Sequence, residues 1–211
     1  MLNIVIFGAP GSGKGTQSDR LIEAYGLHHI STGEVLRDHI SRGTELGRIA
    51  NSYISKGQLI PDDLMIRVLE HLIDSNPDYA RDGVIFDGFP RTIPQAEMLE
   101  GLVSDVKVVN FEIKDEIVIK RLSTRRVCKA CGANYNVLTL KPKVEGICDK
   151  CGGELYQRDD DKQESILHRM DVYREQTEPL INFYKEKGKI TDLDASIETD
   201  ILLGKFKEIF K

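Results

Sequence analysis

The apolar residues of this chain fall into short runs separated by longer stretches of helical periodicity. Residues 2–7 form the first run, interrupted only by Asn3, and it stops at Gly8-Ala9-Pro10-Gly11-Ser12-Gly13. Such a run reads as a buried parallel strand entering a glycine-rich turn. Val84-Ile85-Phe86 and Val106–Phe111 have the same character, and Leu27–Ile30 and Ile190–Leu193 are weaker versions of it. Leu21, Ile22 and Tyr25 recur at helical spacing after Lys14, while Ile166, Met170, Tyr173, Leu180, Ile181 and Tyr184 mark one long helix over about residues 162–187. Strands alternating with helices predict an α/β fold. Its parallel sheet has about five strands flanked by helices, with ligands at the strands' C-terminal ends.

Two stretches do not belong to that sheet. Residues 31–60 read as short helices joined by Gly33, Gly43, Gly47 and Gly57, and residues 127–161 hold all four cysteines together with Pro142, Gly146, Gly152 and Gly153. The 211 residues therefore read as one core carrying two insertions. A net charge of −5 argues against a nucleic-acid surface, which needs a basic footprint, yet leaves room for a local cluster of arginines on phosphate. No apolar run is long enough to span a bilayer, and the first residues lack the basic flank of a signal peptide. A cytoplasmic protein without membrane contact is expected. In that compartment four cysteines point to metal rather than to disulfides.

Gly8-Ala9-Pro10-Gly11-Ser12-Gly13-Lys14-Gly15-Thr16 lies between a strand and a helix, the setting a phosphate-binding loop requires. The glycines let several backbone N–H groups converge on phosphate oxygens, and the helix dipole adds to the attraction. Lys14 would bridge the outer phosphates. The general pattern has Ser or Thr directly after the lysine; here Gly15 stands there and Thr16 follows. Water is accordingly expected to fill more of a bound magnesium's shell.

That loop resembles the adenylate kinases, as do Ser31-Thr32-Gly33-Glu34 and Asp87-Gly88-Phe89-Pro90-Arg91-Thr92-Ile93-Pro94-Gln95, in the same order over nearly the whole chain. The resemblance implies a P-loop kinase fold with core segments 1–30, 61–124 and 163–211, an AMP-binding insertion at 31–60 and a lid at 125–162. It implies a monomer that transfers the terminal phosphoryl group of ATP to AMP, with magnesium. Gly11, Ser12, Gly13, Lys14, Gly15, Thr16, Arg121, Arg125, Asn134, Tyr135 and Ile197 would then hold ATP, with Tyr135 stacking on its base. Thr32, Arg37, Gln58, Leu59, Ile60, Gly88, Phe89, Pro90, Arg91, Gln95, Arg158 and Arg169 would hold AMP. Asp87, at the end of an apolar strand, would hold waters of magnesium. The Gln95 amide can offer both a donor and an acceptor to the edge of adenine. Ser31 and Glu34 also read as a helix capping box.

Several of these residues carry chemistry of their own. Arg121 and Arg125 are one helical turn apart on the approach to the lid, whereas Arg126 points elsewhere. Arg158 precedes Asp159-Asp160-Asp161, an acidic run that reads as a helix N-terminus. Arg169 lies beside the apolar stripe of Ile166 and Met170. Lys14, Arg91, Arg125, Arg158 and Arg169 form a catalytic set suited to spreading the charge of a transferring phosphoryl group. No general base is needed, because the accepting phosphate oxygen is already ionised.

Cys128-Lys129-Ala130-Cys131 and Cys148-Asp149-Lys150-Cys151 are two CxxC pairs separated by 16 residues. Two such turns present four thiolates at tetrahedral geometry and leave no open position, so a bound zinc would be structural. A tetrathiolate iron site satisfies the same pattern, and two disulfides or four free thiols are the alternatives to a metal. Two other functions compete with the main reading: a kinase of UMP or CMP, which Gln95 and the long lid disfavour, and a zinc-ribbon binding module on a nucleotide switch.

Overall fold

The computed structural model describes residues 2–197 and 199–210. Strand β1 (Asn3–Gly8) is buried along its whole length. It leads through the glycine-rich loop into α1 (Lys14–Tyr25), and β2 (His28–Ser31) follows. The first excursion consists of α2 (Thr32–Ser41) and α3 (Glu45–Ile54), after which α4 (Asp62–Asp74) and α5 (Asp78–Asp82) lead to β3 (Val84–Asp87). Next come α6 (Ile93–Leu102), β4 (Val106–Glu112) and α7 (Asp115–Ser123). The second excursion holds β5 (Arg125–Cys128), β6 (Asn134–Asn136) and β7 (Leu155–Tyr156). The chain returns through α8 (Gln163–Val172), α9 (Pro179–Glu186), β8 (Ile190–Asp194) and α10 (Thr199–Ile209).

The main sheet has five parallel strands in the order β2-β3-β1-β4-β8. Alternation along β1 divides the core. Val5 and Phe7 pack with Phe86, Leu99 and Tyr184 on one face, while Ile4 and Ile6 pack with Leu21, Phe111 and Phe206 on the other. Both faces are covered, which is why the central strands read as unbroken apolar runs. The edge strands β2 and β8 retain polar and exposed positions, so their signal is weak. In register, Ile6 lies beside Asp87 and Gly8 beside Phe111, which brings the phosphate loop and Asp87 to the same C-terminal edge. A separate antiparallel sheet, β6-β5-β7, forms the second excursion.

The expected single helix over 162–187 is divided. Residues Tyr173–Thr177 form a π-helical turn between α8 and α9, with the Glu178 N–H donating to the Tyr173 carbonyl at 2.8 Å. Pro179 explains the break, because its nitrogen carries no hydrogen and its ring crowds the preceding turn. The wider turn absorbs that defect and turns the buried face. Ile166 and Met170 accordingly pack on Val118 and Leu122, whereas Leu180 and Tyr184 join the core beneath the sheet. The expected capping box is also absent. Ser31 occupies the N-cap of α2, but its side chain makes no capping hydrogen bond; the hydroxyl at that helix start that is engaged belongs to Thr32, which donates to the Gly88 carbonyl at 2.9 Å.

Among the described residues no helix is long and apolar enough to cross a membrane. The helices α2 and α3 cross so closely that a Cβ at Gly47 would sit 2.1 Å from the His39 carbonyl oxygen. Gly47→Ala is therefore expected to lower stability by about 1–3 kcal/mol through backbone displacement. A thermal melt indistinguishable from the parent's would contradict this packing.

Candidate active site

Between the sheet edge and the two excursions lies a cleft of about 1010 Å³. Its floor is the loop from Gly8 to Thr16. Gly13 adopts a left-handed conformation (φ 103°) and makes no side-chain cap, so the first N–H groups of α1 remain directed at the cleft. Lys14 folds back over this loop, donating to the Gly8 and Ala9 carbonyls at 2.7 and 3.0 Å. Burial lowers its pKa to about 8; Asp87 opposes the shift, while Arg91, Arg169 and Arg125 add to it.

Arg37, Arg91, Arg125, Arg158 and Arg169 line the same space, together with Arg20 and Arg121. Burial, followed by repulsion from Arg169, pulls Arg91 down to about 10. Burial, with Arg37 and Arg125 as neighbours, brings Arg158 to about 10 as well. Arg37 is lowered chiefly by burial. The guanidinium of Arg91 is oriented by donating to the Gly88 carbonyl at 2.7 Å, while the Arg158 Nε is buried with no partner. Two acids offset part of the charge. Arg125 meets Asp161 with two parallel hydrogen bonds of 2.8 and 2.6 Å. Arg169 donates to the Asp160 carbonyl at 2.9 Å and lies 3.0 Å from the Asp160 carboxylate and 3.3 Å from that of Asp161. The acidic run was expected to begin a helix. Instead Asp159–Asp161 form a single 3₁₀ turn, α8 starts at Gln163, and Asp160 and Asp161 are buried as partners of the arginines.

Asp87 ends β3 facing Lys14 across the loop. Burial would raise its pKa, but His29 and Lys14 more than offset this, and the carboxyl stays below its usual range. His29 Nε2 lies 3.9 Å from Asp87 Oδ2. A Cβ at Gly15 would come 3.6 Å from the same oxygen, so the residue after the lysine is directed at this carboxylate. Arg121 ties the floor to the loop after β8 by donating to the Ser12 and Ala195 carbonyls at 3.0 and 3.2 Å. Ile197 follows in that loop and, with Asn134, lines the cleft.

In the second excursion the four cysteine sulfurs all lie within 4.8 Å of one another. Cys128 and Cys151 are 3.5 Å apart and Cys131 and Cys148 are 3.6 Å apart, too far for disulfides. These spacings fit a tetrahedral tetrathiolate site with zinc–sulfur bonds of about 2.3 Å. The two knuckles repeat each other. Gly132 and Gly152, at φ 72° and 74°, donate back to the Cys128 and Cys148 carbonyls, a left-handed bend that suits glycine.

The adenylate kinase family model matches residues 6–189. The adenylate kinase of Methanosarcina mazei is 44% identical over 99% of this chain and 98% of its own length. That of Methanothrix thermoacetophila is 46% identical over 99% and 98%, and that of Caldicellulosiruptor saccharolyticus 44% identical over 100% and 98%. The chain belongs to the adenylate kinase family. Membership disfavours both the pyrimidine-nucleotide alternative and the binding module.

Most residues expected at the family's site line the one cleft: Gly11–Thr16, Thr32, Arg37, Gln58, Leu59, Ile60, Asp87, Gly88, Pro90, Arg91, Gln95 and Arg121 among them. Phe89 does not. It is 1% exposed and packs in the core, so its side chain cannot meet a nucleotide. Tyr135 borders the cleft, but its hydroxyl lies 3.4 Å from Cys148 Sγ and accepts from the Asp149 N–H at 2.7 Å, which commits the side chain to the cysteine cluster. Asp160, Asp161, His29 and Asp62 were not anticipated. The acidic run held a signal for the first two, since it directly follows Arg158; His29 and Asp62 had none.

The low pKa of Lys14 has a kinetic consequence. The free protein loses the lysine's charge as pH rises through about 8, so kcat/KM for ATP is expected to fall by about tenfold per unit above that point. Bound phosphate restores the charge and moves the corresponding limb of kcat to higher pH. A kcat/KM profile flat well past that pH would contradict the enclosed position of Lys14.

Proposed function

We propose that Lys14, Arg91, Arg125, Arg158 and Arg169 carry the ATP:AMP phosphotransfer of this chain, the reversible transfer that yields two ADP. The observation that supports this assignment is the convergence of these cations on one cleft in which only a few acids face them. Phosphates of the two nucleotides supply the missing negative charge. Lys14 and the first turn of α1 hold the outer phosphates of ATP, and Arg91 and Arg37 hold the phosphate of AMP. Arg125, Arg158 and Arg169 spread the charge of the group in transit. Planar donors held by Asp160, Asp161 and the Gly88 carbonyl need little reorganisation as that charge develops.

Residues 31–60 serve as the AMP-binding insertion and residues 125–162 as the lid, with core segments 1–30, 61–124 and 163–211. Thr32, Gln58, Leu59, Ile60, Gly88, Pro90 and Gln95 form the AMP side. Arg121, Asn134, Ile197 and the flank of Tyr135 form the base side for ATP. Closure of the two excursions excludes water, which would otherwise accept the phosphoryl group. Magnesium bound with ATP supplies further charge neutralisation, and Asp87 would hold it through waters. Zinc on Cys128, Cys131, Cys148 and Cys151 is structural, since four thiolates leave no open position. The protein acts as a monomer in the cytoplasm, where free thiols remain available to the metal.

Lys14→Ala and Arg91→Ala are each expected to lower kcat by two or more orders of magnitude, about 2.7–4 kcal/mol, without loss of fold. A coupled assay for ADP formation from ATP and AMP reads this directly, and near-normal turnover in either variant would refute its assigned role. The double variant Cys128→Ser, Cys131→Ser should lose its zinc and melt at a lower temperature, yet remain active well below that temperature. A stable but inactive double variant would place the metal in the chemistry.

A further inference from the structure

Four hydrogen bonds close a ring beside the AMP side of the cleft. The Gln95 side-chain amide donates to Asp62 Oδ1 at 2.6 Å, and the Thr92 hydroxyl donates to Asp62 Oδ2 at 3.0 Å. The Arg91 backbone N–H donates to Gln95 Oε1 at 2.8 Å, and the Gln95 backbone N–H donates to the Thr92 hydroxyl at 3.4 Å. Asp62 is the first residue of α4, and Thr92 caps α6, so the ring joins the starts of two helices. Gln95 is 2% exposed and borders the cleft, whereas Asp62 stands behind it.

This ring removes a freedom that a glutamine normally has. A free amide can exchange its oxygen and nitrogen by half a turn about its last bond. A carboxylate only accepts and a backbone N–H only donates, so here Nε2 must face Asp62 and Oε1 must face Arg91. The flipped amide would set oxygen against oxygen and hydrogen against hydrogen. With one N–H and one lone pair committed, the amide has one N–H and one lone pair left for a ligand, in fixed order. The edge of a 6-aminopurine presents an amino donor beside a ring-nitrogen acceptor. A 6-oxopurine presents a carbonyl acceptor beside a ring N–H, the reverse order.

We propose that Asp62 is a specificity-determining positioning residue, which fixes the orientation of the Gln95 amide and so selects a 6-aminopurine monophosphate over a 6-oxopurine one. The inference rests on the reading of Gln95 as the residue that meets the acceptor's base. Asp62 acts through Gln95 and does not touch the substrate.

Steady-state kinetics with AMP and IMP as acceptors test it on the parent protein and on Asp62→Ala, Asp62→Asn and Gln95→Ala. Asp62→Ala is expected to raise the KM for AMP by about tenfold and to erode the AMP-over-IMP preference by a similar factor, with the KM for ATP and kcat within about threefold of the parent. Asp62→Asn should keep most of the preference, because its carbonyl can still accept from Gln95 while its amide serves Thr92. If Asp62→Ala does not fold, Asp62→Ser, too short to reach Gln95, takes its place with the same expectations. A folded variant lacking the acceptor that keeps the parent's AMP-over-IMP ratio would overturn the proposal. So would an Asp62→Asn variant as impaired as Asp62→Ala, since charge rather than orientation would then be the cause. Gln95→Ala separates the two levels. If it loses the preference while Asp62→Ala keeps it, only the role of Asp62 fails; if it keeps the preference, the base-facing reading of Gln95 fails as well.

Discussion

Lys14, Arg37, Arg91 and Arg158 share a cleft in which burial and mutual repulsion pull each below its ordinary pKa. Glu34, Asp87, Asp160 and Asp161 face them but, with Arg125 and Arg169 in the same cleft, do not neutralise the set. Taking such cations out of water costs several kcal/mol apiece unless counter-charge is supplied. The rest of the molecule can be understood as the scaffold that bears this cost. A sheet covered on both faces supplies the apolar burial, and a loop, a strand end and two excursions meet at its C-terminal edge.

The partners of the cations fix where each guanidinium points. Arg125 and Arg169 are held by Asp160 and Asp161, whose carboxylates come from a turn fixed between the small sheet and α8. Arg91 is held by a backbone carbonyl, which orients it without cancelling its charge. Thr32 donates to that same carbonyl and so links the start of the first excursion to the strand end that carries Asp87. Gly57 extends the link to α8, since a Cβ there would sit 2.9 Å from Arg169 Cγ. The clipped module at the cysteines has little apolar core of its own, with Leu138, Leu140 and Val144 exposed. A tetrathiolate metal is the usual remedy for so small a unit.

What could be read from the sequence followed from how local each constraint is. The strand runs, the glycine loop and the CxxC pairs are set by neighbours in the chain, and all of them stand where the pattern put them. The helix over 162–187 failed at Pro179 because periodicity records which residues are apolar and not how the backbone passes a missing N–H. Phe89 lies inside a motif whose neighbours line the cleft, yet the loop after β3 turns its ring into the core. Tyr135 borders the cleft as its place beside Asn134 suggested, while its hydroxyl lies against the sulfur of Cys148, a contact the sequence did not announce. Asp62 and Gln95 are 33 residues apart in sequence and meet only because α4 and α6 start side by side. No spacing rule could have paired them.

The cleft's cations are retained against their own electrostatic cost because phosphates neutralise them. Arg158 tests this best, since its Nε is buried without a partner and burial, Arg37 and Arg125 outweigh the opposing pull of Asp160 and Asp161. The measurement is the melting temperature of the parent and of Arg158→Met, each with and without tripolyphosphate. Without the anion, Arg158→Met should melt above the parent; with it, the parent should gain and the variant should gain much less. A variant that melts below the parent without ligand, and gains as much from the anion, would show that phosphate neutralisation is not what retains these cations.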